Sequence, residues 1–120
     1  MQQQWWAARK GHIEVVEFLI EQQADINACH ISGQSCLWIA ALNGHTDVVD
    51  VLVSAGADVN LQRNDGFSPL TIANQEGHTE CIRLLIEHGA EVDTRDDEGA
   101  TPLYMAAVNG RIEVVQFAHD

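Results

Sequence analysis

The stretch that decides the fold runs from Ser35 to Asn60 and reads SCLWIAALNGHTDVVDVLVSAGADVN. It returns from Ser68 to Asp93 as SPLTIANQEGHTECIRLLIEHGAEVD, an offset of 33 residues with no insertion. A fixed period of this length is the signature of repeats that stack side by side, each too small to bury its apolar face alone. The period therefore indicates an array of repeats and does not favour a globular enzyme with one central pocket.

A Gly-His pair marks the same frame along the chain, at Gly11-His12, Gly44-His45 and Gly77-His78, with Gly110-Arg111 as a fourth copy. This frame predicts a single domain over residues 1–120, with repeats at about 1–33, 34–66, 67–99 and 100–120. Each repeat is predicted to hold two helices and an extended loop. The first helices are expected at 2–10, 35–43, 68–76 and 101–109, and the second at 13–22, 46–55, 79–88 and from 112 to the end.

Local chemistry places the ends of the first helices. Ser35, Ser68 and Thr101 are predicted N-caps, because their hydroxyls can accept from the unpaired N–H groups of a first helical turn. Pro69 and Pro102 follow at the first helical position, where a missing N–H costs little. The glycines of the Gly-His frame suit the left-handed conformation that commonly ends a helix.

The sequences TPLYMA (101–106), SPLTIA (68–73) and SCLWIA (35–40) resemble the opening of the ankyrin repeat, T-P-L-H-x-A. The resemblance covers the whole chain, with several motifs in register over four copies. It implies an all-α solenoid of stacked helix-turn-helix units, joined by β-turn or hairpin-like loops. It also implies a non-catalytic scaffold that binds a partner protein; the alternative is a structural spacer within a larger array, without a dedicated ligand.

Composition narrows the choice of partner. The chain has 18 acidic residues against 6 basic ones, a net charge of −12, which disfavours nucleic acid and anionic membranes and favours a protein with a basic segment. No stretch is apolar enough to span a membrane, and the N-terminus lacks the pattern of a signal peptide. Three cysteines form no even disulfide framework, so we expect an intracellular protein of the cytoplasm or nucleus.

No catalytic, cofactor or metal site is predicted. Cys29, His30 and Cys36 match no recognised zinc spacing. The three frame histidines recur in successive repeats, and helices pack about 8–10 Å apart, so these side chains are too far from one another to share an ion. We expect them to bond to local backbone groups instead.

In the ankyrin family the contact surface is usually the concave side, built from the turn tips and the exposed end of each first helix. The matching positions also vary in chemistry between copies, whereas scaffold positions repeat. The predicted partner-binding residues are Ile31, Ser32, Gln34, Leu42, Asn43, Asn64, Asp65, Phe67, Gln75, Glu76, Asp97, Glu98, Val108 and Asn109.

Three apolar members of this set, Ile31, Leu42 and Phe67, are expected to be exposed, with Phe67 as the main anchor. The alternative is that Phe67 folds back over the next turn. The acids at 65, 97 and 98 would make one end of the groove negative, and Arg9 with Lys10 would make the other end positive.

Three further expectations concern the oligomeric state, a modification site and backbone strain. The array is expected to be a monomer, with end-to-end association through Trp5, Trp6 or Phe117 as the alternative. Asn27 and Asn60 resemble the turn asparagines that asparaginyl hydroxylases modify in this family. Gln23 stands where other copies have glycine, so a left-handed backbone is expected to be strained there.

Overall fold

The structure, a computed structural model, describes residues 3–92. Within that range the chain forms six α-helices in three consecutive pairs, and a 3₁₀ turn at Ile31–Gly33 lies between the first and second pairs. The helices are α1 (Gln3–Lys10), α2 (Ile13–Glu21), α3 (Cys36–Asn43), α4 (Thr46–Ser54), α5 (Pro69–Glu76) and α6 (Thr79–Glu87). The predicted all-α architecture is confirmed for these residues, and the helices predicted from 101 onward lie outside them.

The helix ends follow the predicted capping chemistry. Ser35 Oγ accepts a hydrogen bond from Trp38 N at 3.1 Å, and Ser68 Oγ accepts one from Thr71 N at 3.1 Å. At the other end of α3, Gly44 is left-handed with φ 72°, and this turn lets His45 N donate to Ala40 O at 3.0 Å. The N-caps predicted at Ser35 and Ser68 are confirmed.

The core lies where the first helices of successive repeats pack together. Helix α3 contacts both α1 and α5, and its residues from Cys36 to Ala41 are all buried. Ala7, Ala40 and Ala73 are buried at equivalent positions, so small side chains let these helices approach closely. Each repeat thus covers the apolar side of its neighbour, which is the stacking that the period predicts.

The frame histidines join neighbouring repeats. His45 Nε2 donates to Arg9 O at 2.9 Å, and His78 Nε2 donates to Leu42 O at 3.0 Å. Because a carbonyl oxygen can only accept, each ring carries its proton on Nε2. The prediction of backbone bonding is confirmed for His45 and His78, but the expectation that the acceptor is local is wrong for both, because each acceptor lies in the preceding repeat.

The loops are joined in the same way. Asn27 Oδ1 accepts from Asp58 N at 2.9 Å, and Asn60 Oδ1 accepts from Glu91 N at 2.8 Å. These bonds hold the loop of each repeat against the next loop along the chain. The expected left-handed residue is also confirmed, because Gln23 has φ 62°.

Candidate functional site

Turn tips from neighbouring repeats come together in a shallow groove of about 220 Å³. Asn64 N donates to Ser32 O at 2.8 Å and so ties one tip to the next. Ser32 and Asn64 are exposed, and Ser32 takes a left-handed conformation with φ 65°. The groove is lined by Ser32, Gln34, Arg63, Asn64 and Asp65, of which all but Arg63 belong to the predicted set.

Arg63 organises the second turn tip. Its guanidinium carbon lies 4.4 Å from the centroid of the Trp38 ring and 5.5 Å from that of Phe67. Its Nε donates to Asp65 Oδ1 at 3.0 Å, and its Nη2 forms an ion pair with Asp65 Oδ2. The arginine is therefore held by a carboxylate while its guanidinium lies within cation–π distance of two aromatic rings.

The same contacts determine the electrostatics of Asp65. The hydrogen bonds from Arg63 hold the pKa of this carboxyl below its usual value, and the backbone N–H of Phe67, which donates at 3.2 Å, lowers it further. Partial burial opposes these effects but is outweighed. The negative charge expected to face a partner is thus largely engaged inside its own turn.

Phe67 and Leu42 differ from the sequence-based expectation. Both are half-buried and pack against the core, so the expectation that they are exposed is wrong. Phe67 is fixed by its surroundings, since its carbonyl accepts from Trp38 Nε1 at 3.1 Å and from Arg63 N at 2.8 Å. The alternative, in which Phe67 folds back over the next turn, concerns a turn that lies outside the described residues and stays a prediction. Ile31 begins the 3₁₀ turn.

The ends of the first helices form a second row. Asn43 is exposed at the end of α3, and its Nδ2 donates to Arg9 O at 3.2 Å. Together with Arg9, Lys10 and His45 it lines a groove of about 450 Å³. Gln75 and Glu76 are exposed at the end of α5. The structure thus places Asn43 in a groove separate from that of the turn tips.

Four members of the predicted set lie outside the described residues: Asp97, Glu98, Val108 and Asn109. The acidic end of the predicted groove depends mainly on the first two, so it stays a prediction. The basic end is present in the described part, because Arg9 and Lys10 line the groove beside Asn43.

Sequence reasoning missed Arg63, although the repeat frame carries a signal for it. One repeat earlier His30 holds the equivalent position, and its ring stacks on Trp5 with centroids 4.1 Å apart and an interplanar angle of 29°. Trp38 and Arg63 stand at the same spacing in the sequence. A flat cationic or aromatic group over the tryptophan of a first helix is therefore a repeated feature of this chain.

Residues 3–92 contain no group of three or more side chains that could hold a metal ion. Within the same range, no helix is both long and apolar enough to cross a membrane. Burial raises the pKa of the Cys36 thiol to about 12, and burial likewise raises the pKa of Cys81. Neither thiol has the lowered pKa and exposure that mark a reactive cysteine.

The histidine bonds between repeats, the glycine turns and the stacked helices all agree with one family comparison. The chain matches the family profile described as ankyrin repeats (3 copies), over residues 4–63 and 37–118. The chain belongs to the ankyrin repeat family. Ankyrin repeats are generally protein–protein interaction modules, and the family is typically non-catalytic. The comparison with curated proteins found no matching relative.

Proposed function

We propose that this ankyrin array is a non-catalytic scaffold that binds a partner protein across its turn tips and the ends of its first helices. The observation that carries the proposal is the groove shared by Ser32, Gln34, Asn64 and Asp65. Side chains from two repeats line it, and the hydrogen bond from Asn64 N to Ser32 O fixes their relative position. Several polar groups are thereby offered on one continuous surface.

The groove is preformed, which favours binding. Arg63 is held over Trp38 by its ion pair with Asp65, and the indole N–H of Trp38 is bonded to Phe67 O. Association normally loses free energy when side chains become ordered, at about 0.5–1.5 kcal/mol for each long side chain that is immobilised. A surface whose arginine is already ordered avoids part of that cost.

The charges favour a partner segment that carries both acidic and basic residues and is basic overall. Glu76 is exposed at one side of the row, whereas Arg9 and Lys10 lie at the other. The net charge of −12 attracts a basic protein at long range and speeds encounter. Local pairing with the exposed amides of Asn43 and Asn64 would then set the register of the partner.

The test is affinity capture from cell extract with the wild-type chain and two variants. Both variants change the net charge of the chain by the same amount. The surface variant carries Asn64→Lys and Glu76→Lys, which alter exposed side chains and leave the Arg63–Asp65 pair intact. The control carries Asp50→Lys and Ser54→Lys on exposed positions of α4. We expect the surface variant to capture at least about tenfold less of each specific partner than the wild-type chain does, because like charges across an interface repel.

The control should capture the same proteins as the wild-type chain, and both variants should unfold at nearly the wild-type temperature. If both variants lose the same proteins equally, long-range charge explains capture and the proposed surface is wrong. If the surface variant captures every protein that the wild-type chain captures, the structural-spacer alternative is favoured.

A further inference from the structure

The last residues of the three described first helices form a row whose charge changes from one end to the other. Lys10, Asn43 and Glu76 end α1, α3 and α5 at the same position of the repeat frame, and all three are exposed. Arg9 adds a second exposed positive charge beside Lys10, whereas the residues at its position in the next two repeats are uncharged. We call Lys10, Asn43 and Glu76 the helix-end row. It is positive on α1, neutral on α3 and negative on α5.

The exposure of this row is a property of the interior of the array. Asn43 ends α3, which packs between α1 and α5, and its side chain is exposed although a repeat lies on each side of it. Ala40, about one turn earlier in the same helix, is fully buried. Stacking therefore buries the middle of each first helix and leaves its last residue open to a partner.

Stacking also sets the distance between the two charged ends. Helix α1 contacts α3, and α3 contacts α5. Packed helices lie about 8–10 Å apart, so Lys10 and Glu76 are separated by two such steps, on the order of 16–20 Å. Neither side chain has an ion-pair partner among residues 3–92. Because an extended chain rises about 3.3 Å per residue, about five or six residues of a partner cover this separation.

The middle of the row favours an extended chain over a helix as the occupant. Asn43 Nδ2 donates to Arg9 O at 3.2 Å, so Oδ1 is the remaining acceptor of this side chain, and no donor among residues 3–92 is bonded to it. An extended segment carries backbone N–H groups along its length that can donate to such an oxygen. A helix uses its internal N–H groups for its own hydrogen bonds.

We propose that the helix-end row binds an extended partner segment in one direction only, with an acid of the segment on α1 and a base on α5. An aspartate or glutamate of the partner meets Arg9 and Lys10. A backbone N–H donates to Asn43 Oδ1, and a lysine or arginine about five or six residues from the acid meets Glu76. The opposite direction sets like charges against each other at both ends. The proposal rests on the proposed function, to which it adds the charge order of the partner.

The test selects binding peptides on the full chain from a phage-displayed library of random peptides of about twelve residues, twice the length that the row spans. We expect the enriched peptides to carry an acid and a base about five or six residues apart, at least about threefold more often than two like charges at that spacing. The strongest peptide is then synthesised, and its Kd is measured by fluorescence anisotropy. Replacing its acid by lysine, or its base by glutamate, should weaken binding about fivefold in each case, because an exposed attraction becomes a repulsion.

Charge reversal on the protein assigns each end of the peptide. Lys10→Glu should recover at least about threefold in Kd for the acid-reversed peptide and nothing for the base-reversed peptide, and Glu76→Lys should do the opposite. The matched controls are Arg83→Glu and Glu80→Lys, which make the same charge changes at exposed positions of α6 and should recover neither peptide. All four variants should melt within about 2 °C of the wild-type chain, because these side chains are exposed.

Equal recovery by the α6 controls would overturn the proposal, since long-range charge would then explain the effect. Recovery of both reversed peptides by the same variant would overturn it too, as would a selection that enriches no peptide or only peptides without the acid–base pair. The proposed function is tested separately by the capture experiment. Partners lost there by the surface variant would support a binding scaffold even where the selected peptides show no charge order.

Discussion

Gly11 and Gly44 each lie beneath the imidazole ring of a histidine one repeat later. A Cβ placed on Gly44 would come 2.6 Å from His78 Nδ1, and one on Gly11 would come 2.7 Å from His45 Nδ1. The rings cannot easily withdraw, because each is bonded through Nε2 to a backbone carbonyl. These positions need glycine for the contact between repeats as well as for their positive φ.

Gly44→Ala tests this contact against a matched control, Gly56→Ala. Both glycines have a positive φ, but a Cβ on Gly56 would have no atom within 4 Å. We expect Gly56→Ala to cost about 1–2 kcal/mol from backbone strain alone. Gly44→Ala should cost a further 1–3 kcal/mol or so, because the ring of His78 must move. Urea unfolding of both variants gives the difference, and equal costs would show that the ring yields freely.

Thiol reactivity should distinguish the three cysteines. Cys36 and Cys81 are buried, whereas Cys29 is partly exposed in the loop before α3. Burial raises the pKa of all three thiols, and that of Cys36 reaches about 12. In the native protein we therefore expect a disulfide reagent to modify one thiol ahead of the others, and all three after unfolding.

Cys29→Ser should remove that first reaction and leave the other two thiols protected. The measurement is the rate of thiol modification at mildly alkaline pH, followed by the absorbance of the group that the reagent releases. Rapid modification of two thiols in the native wild-type chain would contradict the burial of Cys36 or Cys81.

At the scale of the element, the turn between α4 and α5 is a small folded unit. Arg63 and Asp65 are paired, Phe67 N donates to Asp65 Oδ1, and Arg63 N donates to Phe67 O at 2.8 Å. Trp38 Nε1 donates to the same carbonyl from the neighbouring helix. The turn is thus fixed to α3. This attachment sets the orientation of the groove that the turn residues line.

This unit should give the protein a specific sensitivity to acid. The folded-state pKa of Asp65 lies below its ordinary value of 3.8, with Arg63 as the main cause. The resulting stabilisation is present above the unfolded-state pKa and is lost as the pH falls through the folded-state pKa. We expect Asp65→Asn to lower the melting temperature at about pH 7 and to have a smaller effect at about pH 2.5.

Asp50→Asn is the control for that experiment, because this exposed carboxyl on α4 has no cationic partner among residues 3–92. Thermal unfolding followed by circular dichroism at the two pH values gives the comparison. If Asp65→Asn and Asp50→Asn lose the same stability at both pH values, the pair with Arg63 does not stabilise the turn.

The sequence predicts the elements better than the site, for a physical reason. The first helix of the second repeat was expected at 35–43 and occupies Cys36–Asn43, since the Ser35 cap and the Gly44 turn act within a few residues. Phe67 was expected to be exposed and is half-buried, because its environment depends on Arg63 and on Trp38, a residue 29 positions away. Local signals determine helix ends, whereas exposure depends on packing between repeats.

At the scale of the whole molecule, each repeat is stabilised mainly by its neighbours. Helix α3 packs between α1 and α5, and its residues from Cys36 to Ala41 are buried. In α2, by contrast, only Val16 is buried, and Val15 and Phe18 are exposed. Because stability in a repeat array is close to a sum of units and nearest-neighbour interfaces, it should not be uniform along this chain.

Native-state hydrogen exchange measures that gradient directly. We expect the bonded amides in the middle of α3 to be protected at least about tenfold more strongly than those of α2, because α2 can open without exposing the α3–α5 interface. Asn27→Ala should widen the difference, since it removes the hydrogen bond from Asp58 N that holds the first loop to the second. Equal protection of α2 and α3 in the wild-type chain would mean that the repeats open together, and the nearest-neighbour description would then fail for this array.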